Sequence, residues 1–275
     1  IPHTGIHAKH TWFFKPTVPD ADQTTLDETG YGSYSSITYE KPDYENFSPK
    51  LVDLFFRERV SKWIDNNSCK WGNGHFKKSS VPHDDYYLVI GQCGGDAVVT
   101  RQDFGCYYDK LKNIVRALSE ITPKDIIVKL HPYTNGEMGK PEKFDFKSVW
   151  TRELESISSK VKVYSGFDSI HDFLPRANTV IVGNSGAGFE AMMHQKPIIS
   201  FCHPEYHWVT YDLRKLCELN MAIDTEEWFD VQKSDNFLYW YMDEYCFYDY
   251  NSALRRIKFL PVSYTHLRAH ETVLD

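Results

Sequence analysis

The segment Asn184-Ser185-Gly186-Ala187-Gly188-Phe189-Glu190-Ala191 follows an apolar run and leads into a helical pattern. Its small residues let an anionic group approach the first N–H groups of a helix, and the Ser185 hydroxyl adds a donor. Ser185, Gly186 and Gly188 are therefore candidates for holding a phosphate. Glu190 lies about one turn further on, where a carboxylate can accept hydrogen bonds from ribose hydroxyls. The same glycines equally suit a helix that packs closely on its neighbours, and the pattern is not GxGxxG. In Lys129-Leu130-His131-Pro132 the cation and the imidazole are two residues apart and share one face of a strand. They suit a phosphate or a departing nucleotide, although a strand-end histidine also serves in capping and packing. A third segment, Gly91-Gln92-Cys93-Gly94-Gly95-Asp96, presents a carboxylate after two glycines. Asp96 there can act as a base or as a nucleophile at a sugar carbon. It can also serve a turn or a helix N-cap.

Two further clusters read as structural. His203 and His207 are four apart, but no third ligand accompanies them, and Pro204 disfavours a helical residue before it. His3, His7 and His10 lie together near one end and do not indicate a metal site. No acidic pair of the DxD type stands in a strand-end loop, so a metal-held sugar diphosphate is not indicated.

The elements that must position these residues alternate between strand and helix from residue 85 onward. Strands are expected at 86–90, 125–130, 161–164, 179–182 and 197–201. Helices are expected at 107–121, 148–158, 170–174 and from the Ser185 loop to about His194. In 107–121, Leu111, Ile114, Val115, Leu118 and Ile121 form one apolar face. Repeated strand–helix–strand units with β-branched strands indicate an α/β fold with a parallel, doubly wound sheet. Ligands of such sheets sit beyond the carboxyl ends of the strands. That rule selects loops 91–97, 131–137, 183–188 and 202–208. Before residue 85 the chain is less regular. Residues 1–50 read as polar and loop-like, 51–65 as a helix, and 66–84 as a linker. Three regions are expected: 1–83 as an N-terminal segment and linker, 84–260 as a nucleotide-binding domain, and 261–275 as a tail.

Composition narrows the function classes. The chain has 275 residues and a formal charge of −7, which argues against a generally basic nucleic-acid binder. Hydrophobic residues make up 41%, ordinary for a globular protein, and no run of eighteen apolar residues is present. The six cysteines are widely and irregularly spaced, with no CxxC pair, and read as reduced thiols of a cytoplasmic protein. The last stretch, Val262–Thr272, reads VSYTHLRAHET. It matches the translation of a transposase sequencing adapter, so residues from about Pro261 onward are expected to be non-native and to pack against nothing. The sequence would then be a fragment from an assembled environmental read.

Taken together, these segments resemble the capsule-polysaccharide biosynthesis family, bacterial transferases that use CMP-activated Kdo. The resemblance runs from about Trp12 to Phe259. It rests on Asp27-Glu-Thr-Gly-Tyr-Gly-Ser-Tyr-Ser-Ser-Ile37, Leu88-Val-Ile-Gly-Gln-Cys-Gly-Gly-Asp96, Lys129-Leu-His-Pro132, and Asn184-Ser-Gly-Ala-Gly-Phe-Glu-Ala191 followed by Lys196-Pro-Ile-Ile-Ser200. Their order and spacing carry it. The resemblance implies two Rossmann-like domains facing each other across a cleft (GT-B), of which 84–260 is the donor-binding half and the earlier residues are part of the acceptor side. It implies that His131 and Ser185 hold the CMP phosphate and that Asp96 is the catalytic carboxylate. In retaining β-Kdo members that residue is a nucleophile forming a covalent Kdo adduct. The expected reaction moves Kdo or a related ulosonic acid from a CMP donor to a glycan or glycolipid acceptor of the capsule or lipopolysaccharide. No metal or other cofactor and no nucleic acid is expected, and the setting is cytoplasmic, with contact at the inner face of the membrane through other assembly proteins. Two rivals remain: a UDP-sugar 2-epimerase with a similar Ser-Gly…Glu loop, and a non-catalytic glycan-binding paralogue.

Overall fold

Every residue of β3 (Tyr86–Ile90) is buried, as a strand covered on both faces requires. Its side chains alternate between two cores. Tyr86, Leu88 and Ile90 enter one, while Tyr87 and Val89 enter the other. The computed structural model describes residues 13–16, 24–27, 29–68, 81–93 without 83, 99, 106–134, and 145–248 without 166. Asp96, with Gly94 and Gly95, lies outside the described residues, as do His3, His7, His10 and the expected tail at 261–275.

Beside β3 run β4 (Asp125–Lys129), β5 (Val161–Tyr164), β6 (Ala177–Val182), β7 (Ile198–Ser200) and β8 (Tyr211–Asp212), all parallel. They form a six-stranded sheet of order β5-β4-β3-β6-β7-β8. The chain builds outward from β3 through β4 to β5, then returns to the other side of β3 to start β6. That reversal opens a crevice between the carboxyl ends of β3 and β6, where doubly wound sheets bind their ligands.

The helix expected at 107–121 is α3 (Tyr107–Ile121), which buries Leu111, Ile114, Val115 and Leu118 at helical spacing. Together with Leu154 of α4 (Phe146–Glu155) and Leu219 and Ala222 of α7 (Leu219–Asp224), it covers one face of the sheet. The α4 helix begins before its expected start, because Asp145 accepts a hydrogen bond from Ser148 N at 3.1 Å and caps it. The other face carries α5 (Ile170–Phe173), α6 (Ala187–Met193) and α8 (Val231–Tyr239). A 3₁₀ turn at Leu174–Arg176 follows α5, where Pro175 cannot continue a helix. Also on this face are α1 (Pro49–Phe55) and α2 (Ser61–Asp65), joined through a wider π-type turn, Phe56–Val60. Ile37, Tyr44, Val52, Phe55 and Val60 share one core with β3 and β6.

The first fifty residues are not wholly loop. β1 (Phe13–Pro16) pairs with β2 (Thr24–Asp27), and β2 pairs with β9 (Cys246–Phe247) in a separate antiparallel sheet. Strands this short carry too little alternation to stand out in a sequence. β2 ends on Asp27, whose carboxylate is 2% exposed. It accepts bonds from Thr29 N and Oγ1, Gly30 N, Ser36 N and Oγ, and Tyr245 Oη. A buried carboxylate with this many donors is tolerated, and it gathers residues 29–36 around it.

Candidate active site

The loop after β3 and the loop after β6 are locked together at the crevice. Gln92 Nε2 donates to Asn184 Oδ1 at 2.8 Å, and Asn184 N donates to Gln92 Oε1 at 2.9 Å. This exchange requires glycine at 183. A Cβ there would lie 2.5 Å from Gln92 Oε1 and 2.9 Å from Tyr107 Cε2. Asn184 Nδ2 also donates to Ser33 Oγ at 3.1 Å, and Ser33 Oγ donates to the Cys202 carbonyl at 3.2 Å. The Asp27–Ile37 loop is thereby seated beside the crevice.

On the other side of β3, Cys93 Sγ lies 3.1 Å from His131 Nδ1 and donates to the Tyr133 carbonyl at 3.3 Å. Tyr133 N donates to His131 Nδ1 at 3.1 Å. A backbone N–H can only donate, so Nδ1 is an acceptor and the neutral ring carries its proton on Nε2. Thr134 N and Oγ1 both donate to the His131 carbonyl, at 3.0 and 2.7 Å. Pro132, with φ restricted by its ring, starts that turn. Residues 92 and 93 of the β3 loop thus join the His131 turn to the Asn184–Ser185 loop.

Ser185 Oγ accepts a hydrogen bond from Ala187 N at 3.2 Å. Gly188 N and Phe189 N bond to the carbonyls of Ser185 and Gly186. The first N–H groups of α6 are therefore used locally, and the hydroxyl hydrogen of Ser185 is what this turn offers an anion. Tyr206 Oη donates to the Ser185 carbonyl at 2.6 Å, fixing the turn from behind. A Cβ on Gly188 would lie 2.3 Å from Tyr206 Cζ, so this glycine admits the tyrosine ring.

Lys129 is 6% exposed and Glu190 also 6%. Burial pushes the Lys129 ammonium down to about 8, opposed by the charges of Asp168 and Glu190. Its Nζ lies 6.0 Å from the centre of the Phe173 ring. Lys129 is thus a buried cation facing two carboxylates, directly before the His131 turn. Among the described residues, no group of three His, Cys, Asp or Glu side chains could hold a metal ion. No helix among them is long and apolar enough to cross a membrane.

The structure brings Ser185, Gly186 and His131 to the same edge of the sheet. Ser33, Gln92, Asn184 and Tyr206 were not singled out from the sequence. Ser33 and Gln92 stand inside quoted motifs, but a reciprocal bond between loops 92 residues apart leaves no local signal.

The model of the capsule polysaccharide biosynthesis protein family matches residues 35–222. Among solved structures, the chain is similar to Thermosulfurimonas dismutans KpsC, beta Kdo 2,4 transferase, with 19% identity and a TM-score of 0.53, over 81% of this chain and 68% of that one. It is similar to the beta Kdo 2,7 transferase of KpsC from the same organism with 17% identity and a TM-score of 0.47, over 82% and 67%. For UDP-GlcNAc 2-epimerase from Methanocaldococcus jannaschii the figures are 18% and 0.36, over 69% and 50%. A search of curated proteins finds no match. The fold is the Rossmann-like half of a GT-B architecture.

Proposed function

This chain belongs to the capsule polysaccharide biosynthesis family, and from that premise we propose that it is a glycosyltransferase moving Kdo or a related ulosonic acid from a CMP donor to a capsule or lipopolysaccharide glycan. The observation that carries the reading is the bonded set of loops at the β3–β6 crevice, which puts the Ser185 hydroxyl and the His131 turn at one edge. KpsC of T. dismutans, a beta Kdo transferase by name, has a similar fold.

In this mechanism the CMP phosphate lies between Ser185 Oγ–H and His131 Nε2–H. Both donors stabilise the charge that develops as the phosphate departs. Lys129 acts from beneath: its buried charge is held by Glu190 and Asp168, and its field favours an anion at the strand end. Asp96, three residues beyond Cys93, attacks the anomeric carbon, and the adduct passes to the acceptor hydroxyl. A single phosphate needs no metal to offset a diphosphate. Residues 84–260 would carry the donor, and residues before them would meet a glycan or glycolipid acceptor at the inner face of the membrane.

The test is the shift in melting temperature with nucleotide. CMP is expected to raise it and UDP to leave it unchanged. A rise with UDP alone would transfer the site to an epimerase-like function. No rise with either would favour a non-catalytic paralogue.

A further inference from the structure

Beyond the crevice, the loop after β7 holds a second group of side chains that the donor site does not use. His203 is one of three non-glycine residues with positive φ among those described, at 43°. A left-handed histidine is uncommon and is kept only where surrounding contacts hold it. Those contacts are visible. His203 Nδ1 lies 2.7 Å from Asp212 Oδ2. A carboxylate only accepts, so a neutral His203 bonded to Asp212 donates from Nδ1 and keeps its lone pair on Nε2. Asp212 comes from β8 and its side chain is 12% exposed. Arg214 Nη2 meets the same carboxylate oxygen at 2.5 Å; it also lies 2.9 Å from His203 Nδ1, where two donors meet and Asp212 is the acceptor they share. Ser200 Oγ donates to the other oxygen at 3.4 Å and pairs with Thr210 Oγ1 at 2.8 Å.

The neighbouring imidazole is of a different kind. His207 Nδ1 donates to the Pro204 carbonyl at 2.9 Å, and its ring centre is 4.0 Å from that of His203. Burial, and then the charge that His203 can carry, lower His207 to about 4, so it stays neutral. The groups facing His203 are thus Asp212 and Arg214 from the β8 side and the neutral His207 from its own loop. This loop is tied to the donor site at both flanks. Cys202 accepts from Ser33, which is bonded to Asn184, and Tyr206 bonds to Ser185.

We propose that His203, oriented by Asp212, is the proton acceptor for the attacking hydroxyl of the acceptor glycan. The inference rests on the transferase reading. The hydroxyl proton moves to His203 Nε2 as the oxygen bonds to the anomeric carbon. The bond from that carbon to its leaving group breaks in the same step, and the electron pair departs with that group, the Asp96 carboxylate in the two-step course. Asp212 balances the imidazolium so formed, and Arg214, bonded to the same carboxylate, holds Asp212 in place.

The test uses the full chain, CMP-Kdo as donor and an alkyl Kdo glycoside as acceptor. His203→Asn is the variant most compatible with positive φ and retains a donor toward Asp212. It is expected to lower kcat at least about a hundredfold while the Kd for CMP stays within twofold. His203→Gly adopts the same φ freely and leaves room for a small base, so added imidazole is expected to restore part of the rate. Turnover of His203→Asn within threefold of the parent overturns the proposal. So does a loss in which CMP affinity falls in parallel, or one that imidazole does not relieve in His203→Gly. A parent chain that binds CMP and transfers nothing overturns the transferase reading itself, and is distinguished from these by the unmodified protein alone.

Discussion

Among the described residues, two pairs of histidines touch ring to ring, and they do opposite things with their nitrogens. His171 Nε2 donates to the Ser68 carbonyl at 3.2 Å, so its Nδ1 is an acceptor and takes the Nε2 proton of His194 at 2.9 Å. Both rings are held neutral by burial, His194 at about 3. This pair ties residue 68, after α2, to α5 and to the end of α6. At the sheet edge, His203 and His207 both spend Nδ1 on the protein and carry a lone pair on Nε2. The difference lies in the partner. A carbonyl and a second imidazole close the first pair into the fold, whereas His203 is paired with a carboxylate that arrives from β8. A residue type says little about function until both of its nitrogens are accounted for.

That contrast between edge and interior can be broken by experiment, beginning with the largest effect. Asp96→Asn removes the negative charge and keeps the shape. Transfer is expected to fall by about a thousandfold or more, near 4 kcal/mol in the barrier, with CMP still bound and the melting temperature unchanged. Intact-mass analysis of the parent with donor should show a sugar adduct on Asp96. Turnover near that of the parent would remove the carboxylate from the mechanism. Loss of activity without an adduct would make it a base.

Gly188→Ala sharpens the comparison, because this position belongs to both regions. The new Cβ would lie 2.3 Å from the Tyr206 ring, which must move and give up its bond to Ser185. A cost of about 1–3 kcal/mol in urea unfolding is expected, together with weaker CMP binding. Unchanged stability and affinity would show that Tyr206 does not support the Ser185 turn.

The interior pair predicts an acid sensitivity, to which His207 of the edge pair, lowered to about 4, contributes over a narrower range. The folded-state values of His171 and His194 lie below the ordinary histidine value near 6.5. The unfolded chain therefore binds these protons first as pH falls. Stability is full above about 6.5 and declines toward the folded-state value of His194, about 3, by at most about 1.4 kcal/mol per pH unit for each ring. Urea midpoints measured from pH 7 to 4 should fall, and His194→Gln should flatten the decline. An equally steep decline in that variant would place the sensitivity elsewhere.

Five of the six strands of the parallel sheet were legible because they are rich in β-branched residues and most are buried on both faces, whereas β8, two residues long, was not; α3 was legible because its apolar face repeats cleanly over fifteen residues. β2 and β9 were not legible: the pairing register joins two residues of one to two of the other. The donor loops could be read as strand ends with small or charged residues, but not the Gln92–Asn184 exchange that joins them. His203 and His207, four apart with proline between, read as an inert pair. The partner that changes their meaning, Asp212, arrives from the next strand, and no local spacing announces it.

The central claim is that the crevice between β3 and β6 binds the phosphate of CMP through the His131 turn and Ser185. Calorimetric titration of CMP into the full chain and into His131→Ala tests it most directly. Losing a charge-assisted bond should cost about 1.5–3 kcal/mol, a roughly ten- to hundredfold weaker Kd, in a variant whose melting temperature without nucleotide matches the parent. An unchanged CMP affinity in a folded His131→Ala protein would contradict the account.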